Sequence, residues 1–167
     1  MNRNEELVCG LDPGRDKCGL AVVDNQGSCL YHEIVSTVQL EEQLKQLQGK
    51  YGFSTLVMGN GTTSKEAGAR VGQSLPEVKL QVVDEYRTTD EAKEEYWRIY
   101  PPKGWRRLMP HGMLIPPKPV DDLAALILAR RYVKAKQQNV YIWGVILWQS
   151  HKSGLSGMNT FWILPRL

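Results

Sequence analysis

Residues 7–24, LVCGLDPGRDKCGLAVVD, contain two apolar runs that are separated by a polar turn. The first run (7–12) ends at Asp12, and the Pro-Gly pair that follows forces the chain to turn. The second run (19–24) is followed by the turn sequence Asn-Gln-Gly. Short apolar runs bounded by turn signals predict buried strands. With a third strand predicted over residues 28–36, the opening of the chain indicates an antiparallel meander.

Helix and strand patterns alternate after the meander. Thr88 and Glu91 fit a capping box, with Thr88 as N-cap, that opens a helix through about Ile99. Helical spacing returns after residue 120, with the basic residues on the outer face. The order predicts an α/β domain with a mixed sheet, in which three antiparallel strands precede alternating helices and strands. The other predicted helices are residues 39–50 and 63–75, and the other predicted buried strands are residues 55–58 and 78–84.

Two segments fall outside this alternation. Six of the nine prolines lie between residues 100 and 120, so we expect a Pro-rich basic loop over 101–119 within a domain of residues 1–138. Residues 139–167 form an apolar, glycine-containing extension, and its run VYIWGVILW (140–148) is too short to span a bilayer as a helix. The sequence is compatible with two interpretations of this run, an extra edge strand packed on the domain or a poorly ordered appendage.

The cysteine pattern and the N-terminus bear on the compartment. The three cysteines are an odd number without a CxxC pair, which argues against a disulfide framework and against a zinc site. The first residues lack an uninterrupted apolar stretch after a basic start, so we expect no signal peptide. We expect a cytoplasmic protein without a membrane association.

Charge is distributed unevenly along the chain. Residues 1–100 carry 11 Lys and Arg against 16 Asp and Glu, whereas residues 101–136 carry eight basic residues against two acidic ones. Clustered cations favour a polyanionic partner, because they release counterions from phosphates. A solvated helix face next to a basic loop is the plainer interpretation of the same pattern.

Carboxylates stand at the ends of three predicted elements. Asp12 ends the first strand, Glu85 follows the 78–84 strand, and Asp121 and Asp122 begin the last helix. Ligands and substrates gather at the carboxyl ends of strands in open α/β sheets, and Mg²⁺ or Mn²⁺ prefers oxygen ligands. Each residue also has a plainer role: Asp12 as a turn former, Glu85 as a strand-end charge, and the aspartate pair as a helix cap. Neighbouring positions point in different directions, so we expect Asp121 and Asp122 to have different roles.

Three segments resemble the motifs of the YqgF/RuvX family, a bacterial branch of the RNase H-like superfamily. They are LVCGLDPGRDKCGLAVVD, VVDEYRTTDEA and PVDDLAALIL, and they occur in the family's order over roughly residues 7–133. The resemblance implies an RNase H-like fold and a metal site formed by Asp12, Glu85 and Asp121. Family members are described as Holliday junction resolvases and as nucleases that mature the small-subunit ribosomal RNA precursor.

The chain departs from the family pattern in three places. Gly-Asn-Gly-Thr (59–62) replaces the usual Gly-Leu-Pro, Tyr86 stands where an arginine is usual, and the Pro-rich loop is longer than typical. These departures suggest a variant branch, of cyanobacterial type, and they concern substrate specificity more than the metal site.

The resemblance implies a divalent-metal-dependent endonuclease with two-metal hydrolysis, in which two ions about 4 Å apart assist cleavage of a phosphodiester. Its substrate would be structured nucleic acid, either junction DNA or ribosomal RNA precursor, and a resolvase would act as a homodimer. Arg87 is adjacent to Tyr86, which replaces the usual motif arginine, and we expect Arg87 to contact the nucleic acid in its place. The other predicted nucleic-acid contacts are Arg15 and Lys17 after Asp12, and Trp105, Arg106 and Arg107 in the loop. Exposed turn charges, and a tryptophan that anchors the loop, are the plainer interpretations.

Two other classes of function compete with a nuclease. A non-catalytic nucleic-acid-binding or ribosome-associated module would keep the fold without cleavage. An actin-like ATP-binding protein also begins with a strand, an aspartate and a returning strand, but that fold needs a second lobe for which 167 residues leave no room.

Overall fold

The structure is a computed structural model that describes residues 6–84, 88–109 and 114–152. For residues 105, 106 and 139–152 it describes the backbone alone. The chain divides into two compact units, residues 1–134 and residues 135–167.

The first unit contains a five-stranded mixed sheet in the order β3-β2-β1-β4-β5. The first three strands pair antiparallel, β4 joins β1 in parallel, and β5 joins β4 in parallel. The predicted α/β class and the mixed sheet after an antiparallel meander are therefore confirmed. The strands are β1 (Val8–Pro13), β2 (Lys17–Val23), β3 (Cys29–Ser36), β4 (Thr55–Gly59) and β5 (Lys79–Val83).

Helices cover both faces of this sheet. Side chains alternate along β1, so Cys9 and Leu11 belong to one apolar cluster while Val8 belongs to another. The first cluster includes side chains of α1 (Leu40–Tyr51) and α2 (Ser64–Ser74), and the second includes those of α3 (Thr88–Ile99) and α4 (Asp121–Lys152). Burial on both faces explains why the central strands are continuous apolar runs.

Two glycines let α4 approach the backbone of the central strands. A Cβ atom on Gly10 of β1 would lie 2.0 Å from the carbonyl oxygen of Ala125, and one on Gly19 of β2 would lie 1.9 Å from that of Asp121. No larger residue fits at either place unless the helix moves, so glycine fixes the distance between α4 and the sheet.

The edge strand β5 differs from its prediction as a buried strand. The side chain of Val82 is 57% exposed. Among the described strands, β5 has a neighbour on one side alone, and the first apolar cluster packs against Leu80 but does not include Val82. The alternating pattern identified the strand correctly but did not reveal its edge position.

The helix boundaries differ from the predictions in three details. Thr88 is the first residue of α3 instead of the residue before it. The Pro-rich loop contains a short 3₁₀ helix, Gly104–Leu108, although its prolines exclude longer regular structure. Residues 140–148 are helical because α4 continues to Lys152, so an extra edge strand is wrong for this run.

The described part of the second unit is the continuation of α4. Within residues 6–84, 88–109 and 114–152, no helix combines the length and the apolar character needed to cross a membrane.

Candidate active site

Asp12 lies one residue before the end of β1, where its side chain is half-buried. It lines a cleft of about 280 Å³ at the carboxyl ends of β1 and β4. Threonine side chains form much of the wall, and their hydroxyl groups are suitable donors to phosphate oxygens. The other lining residues are Pro13, Gly61, Thr62, Thr63, Thr88, Thr89 and Ala124.

The first turn of α4 lies beside Asp12. Gly19 of β2 is the direct cross-strand partner of Asp12, and the carbonyl of Asp121 occupies the space where a Gly19 side chain would be. Ala124, which follows Asp121 by three residues in α4, lines the same cleft as Asp12. The structure thus brings two of the three predicted carboxylate positions to one edge of the sheet.

The environment of Asp121 disfavours its charged form. Burial raises the pKa of the Asp121 carboxyl above its ordinary value, and the negative charge of Asp122 raises it further. Lys17, the exposed first residue of β2, opposes this shift and therefore lies close enough to act on Asp121. A cation bound near Asp121 would act in the same direction as Lys17.

Asp122 points elsewhere, as we predicted for the second member of the pair. Its Oδ2 atom lies 2.6 Å from Nδ1 of His32, which is in β3. This contact ties the start of α4 to the meander. No local sequence pattern pairs His32 with Asp122, since 90 residues separate them.

The Pro-Gly turn after Asp12 is held from two sides. The hydroxyl of Thr63, which precedes α2, donates to the carbonyl of Pro13. The hydroxyl of Thr37 donates to the carbonyl of Gly14 over 3.2 Å and lies 3.3 Å from Sγ of Cys18. These bonds restrict the backbone that carries Asp12 into the cleft.

Glu85 and Arg87 lie outside the described residues, but contacts of α4 bracket their segment. Nη1 of Arg131 donates to the carbonyl of Asp84 over 3.3 Å and to the hydroxyl of Thr88 over 3.1 Å. The residues on both sides of the segment are thereby tied to the helix that begins with Asp121.

These contacts correct the predicted outward orientation for Arg130 and Arg131, whereas Lys134 and Lys136 of α4 are exposed as predicted. Arg131 also forms an ion pair with Glu91 at 2.7 Å, and Arg130 donates to the carbonyl of Gly27 and to Glu95, each over 2.8 Å. Both arginines bind the protein itself, because their long side chains reach back over the sheet and α3. They contribute less to a basic surface than their positions in the sequence indicated.

The remaining predicted nucleic-acid contacts are dispersed. Arg15 is exposed in the turn before β2 and lines a separate cleft of about 210 Å³, together with Glu66 and Arg70. Arg107 is exposed on the 3₁₀ helix, whereas the side chains of Trp105 and Arg106 lie outside the described atoms.

The tryptophan that anchors the Pro-rich segment in the described structure is Trp97 of α3. It is buried, and its Nε1 donates to the carbonyl of Leu114 over 3.2 Å. An anchoring role was expected of Trp105, whose side chain lies outside the described atoms, while helical spacing alone does not identify Trp97 as an anchor.

Among the described residues, no three His, Cys, Asp or Glu side chains are grouped so that they could hold a metal ion. Glu85 is not one of those residues. The site of Asp12, Glu85 and Asp121 therefore stays a prediction.

The strand order, the helices on both faces, and carboxylates at the end of β1 and the start of α4 define an RNase H-like domain. Residues 6–97 match the family described as the Tex protein YqgF-like domain, and the chain belongs to this YqgF-like family. The match ends within α3, so Asp121 lies beyond it. No curated protein sequence matches the chain.

Two solved structures share the fold at low identity. RuvC from Thermus thermophilus has a TM-score of 0.52 and 19% identity, over 78% of this chain and 96% of that chain. The Fowlpox virus resolvase, solved with its substrate Holliday junction DNA, has a TM-score of 0.53 and 12% identity, over 77% and 97% of the two chains. At such identities the similarity supports the RNase H-like fold alone.

Proposed function

We propose that this protein is a divalent-metal-dependent endonuclease that acts on structured nucleic acid, either junction DNA or the small-subunit ribosomal RNA precursor. The observation that carries the proposal is the docking of the first turn of α4 beside Asp12, at a threonine-lined cleft. Membership of the YqgF-like family supports it, as does the fold shared with a resolvase solved on its junction substrate.

The donor set fits Mg²⁺ or Mn²⁺. Asp12 and Asp121 offer the oxygen ligands that these ions prefer, and Glu85 would complete the set. Burial and the charge of Asp122 make the ionised form of Asp121 costly, and a bound cation would remove that cost. When bound there, the metal would help to activate water and stabilise charge on the phosphate.

The protein's own residues have separable tasks in this proposal. Asp12 and Asp121 hold the metal, while the hydroxyls of Thr62 and Thr89 donate to oxygens of the phosphate backbone in the cleft. Lys17, next to Asp121, adds a positive charge that attracts the phosphate and opposes the charge developing on it. The hydrogen bonds at the Pro-Gly turn keep Asp12 oriented.

The proposal is tested with the full chain on a four-way DNA junction, a structured RNA precursor and single strands, in Mg²⁺, Mn²⁺ or EDTA. We expect metal-dependent cleavage that Asp12→Asn reduces at least 100-fold, because the substitution removes a charged ligand. Asp24→Asn is the matched control. Asp24 follows β2, which runs antiparallel to β1, so Asp24 and Asp12 lie at opposite ends of these two strands.

Cleavage that persists in EDTA, or that Asp12→Asn leaves unchanged, would contradict the metal site. Specific binding without cleavage of any of the substrates would instead favour the non-catalytic module. Symmetric cutting of a junction needs two active sites, so a homodimer on the junction belongs to the proposal. Analytical ultracentrifugation of the complex checks it.

A further inference from the structure

A second cleft, of about 450 Å³, lies between β3, the end of α3 and the residues that precede α4. We propose that it binds a nucleobase from a single-stranded or distorted part of the nucleic acid. This inference rests on the proposed function, because it names a further part of the substrate surface. The residues that carry it are His32, Tyr96, Tyr100, Lys118 and Asp122.

Aromatic rings form one side of the cleft. The rings of Tyr96 and Tyr100 have centroids 5.0 Å apart at an interplanar angle of 43°, and Tyr96 also meets Trp97 edge-to-face at 5.0 Å. Trp97 is buried and donates a hydrogen bond to the carbonyl of Leu114, so the innermost ring of this aromatic group is held in place. Tyr100 is 53% exposed at the end of the group. An exposed ring backed by a fixed one is a stacking platform for a base.

The polar side chains of the cleft match the edge of a base better than they match an isolated phosphate. Lys118 is an exposed donor. The other charge in the cleft, Asp122, is paired with His32. The carboxylate of Asp122 would repel a lone phosphate, whereas a base presents amino groups as well as acceptor atoms and can use both kinds of partner.

Through Ala124, which lines the threonine cleft, the start of α4 connects the candidate active site with the second cleft. Asp122 lines it, and Asp121 is the preceding residue in α4. A strand whose phosphate lies in the threonine cleft by Asp12 would thus meet the aromatic platform on the same face of the sheet. The inference therefore assigns to the second cleft the recognition of an unpaired base close to the cleavage point.

The test measures binding instead of cleavage. Fluorescence anisotropy in EDTA gives the Kd of the full chain for 12-nucleotide DNA and RNA single strands and for an abasic DNA of the same length. We expect Tyr100→Ala to weaken binding of the base-bearing strands about 10-fold, because one stacking contact is lost, and to leave the abasic strand unaffected. Tyr100→Phe keeps the ring and should bind as the wild type does.

Two further readouts separate recognition from an effect on the fold. A 2-aminopurine base in the strand should lose fluorescence on binding to the wild type and to Tyr100→Phe, but not to Tyr100→Ala. Lys118→Ala should weaken binding more than Lys65→Ala, since Lys65 is an exposed lysine of α2 on the other side of the sheet. If Tyr100→Ala weakens binding of only the DNA strand or only the RNA strand, the result supports base binding in the cleft and identifies which nucleic acid supplies the base.

Equal binding by wild type and Tyr100→Ala would overturn the inference, and so would an equal loss on base-bearing and abasic strands. These outcomes are distinct from failure of the nuclease. Base-dependent binding without any cleavage supports the cleft and contradicts the proposed function. Cleavage that depends on Asp12, together with unchanged binding by Tyr100→Ala, supports the proposed function and contradicts base binding in the cleft.

Discussion

The contact between Gly19 and the start of α4 leads to a quantitative prediction. In Gly19→Ala, the new Cβ would lie 1.9 Å from the carbonyl oxygen of Asp121, 2.2 Å from its carbonyl carbon and 2.7 Å from the nitrogen of Asp122. Ordinary contact begins at 3.4 Å, so backbone atoms must separate by about 1.5 Å. No flexible side chain can absorb this movement, because all three atoms belong to the helix backbone.

The expected cost follows from this displacement. Overpacking of this kind destabilises by about 1–3 kcal/mol, and we expect Gly19→Ala to reach about 3 kcal/mol because the obstacle is backbone. The melting temperature should fall by about 6–12 °C for a chain of this size. Cleavage by the folded variant should fall about 100-fold, since a misplacement of about 1 Å in an active site has that effect.

Urea unfolding followed by circular dichroism gives the stability, and cleavage is measured where the variant is folded. Gly49→Ala is the control, because Gly49 is in α1 and no atom lies within 4 Å of its Cβ position. It should raise stability by about 0.5–1 kcal/mol through the better helix propensity of alanine. A Gly19→Ala protein that unfolds at the wild-type urea concentration and cleaves normally would refute the docking of α4 beside Asp12.

Three further predictions concern charged residues. Burial alone would raise the pKa of Asp24, but backbone N–H donors of its turn, two of them at 2.8 Å, lower the pKa overall. The ionised carboxylate therefore stabilises the fold at pH values above the ordinary pKa of 3.8. This stabilisation is lost as the pH falls through the lowered pKa of the folded protein. Asp24→Ala should cost about 1 kcal/mol at pH 7, and a difference in stability from the wild type that does not narrow as the pH falls below 3.8 would contradict this. Mn²⁺ should raise the Tm of the wild type but not that of Asp121→Asn. In EDTA at pH 7 the Asp121→Asn variant should be at least as stable as the wild type, because the fold disfavours the charged form of Asp121. Equal Tm shifts on addition of Mn²⁺ to both proteins would exclude Asp121 as a ligand. Arg106→Ala with Arg107→Ala should weaken nucleic-acid binding and reduce the slope of log K against log salt by about 2, and unchanged binding at several salt concentrations would remove the loop from the interface.

The sheet could be predicted from the sequence because its central strands are covered on both faces. Buried runs such as residues 8–11 of β1 and residues 56–58 of β4 carry no charged side chain and are followed by turn residues, so their positions follow from local composition. The exposure of Val82 could not be predicted, because it depends on which strands become neighbours. That is a property of the whole sheet and not of the five residues of β5.

The candidate site divides in the same way. Asp12 could be singled out because a strand end followed by Pro-Gly is a local signal. The close approach of Asp121 to Gly19 could not be found, since it depends on a contact between residues about one hundred positions apart. Arg130 and Arg131 were assigned to the solvent side for a related reason: their acceptors include the carbonyls of Gly27 and Asp84, and backbone acceptors leave no mark in a sequence.

The late position of α4 has a consequence for synthesis of the protein. A nascent chain that has emerged through α3 has its sheet and one apolar cluster complete, but the face with Val8, Ala21 and Val23 still lacks its main cover. Asp121 arrives with that cover, so the carboxylate and the helix that shields the face become available in one event. In the proposed nuclease, a chain that still lacks α4 also lacks a metal ligand, so cleavage would begin only when the fold is complete. The interval before α4 emerges is also when the uncovered apolar face is most exposed to aggregation.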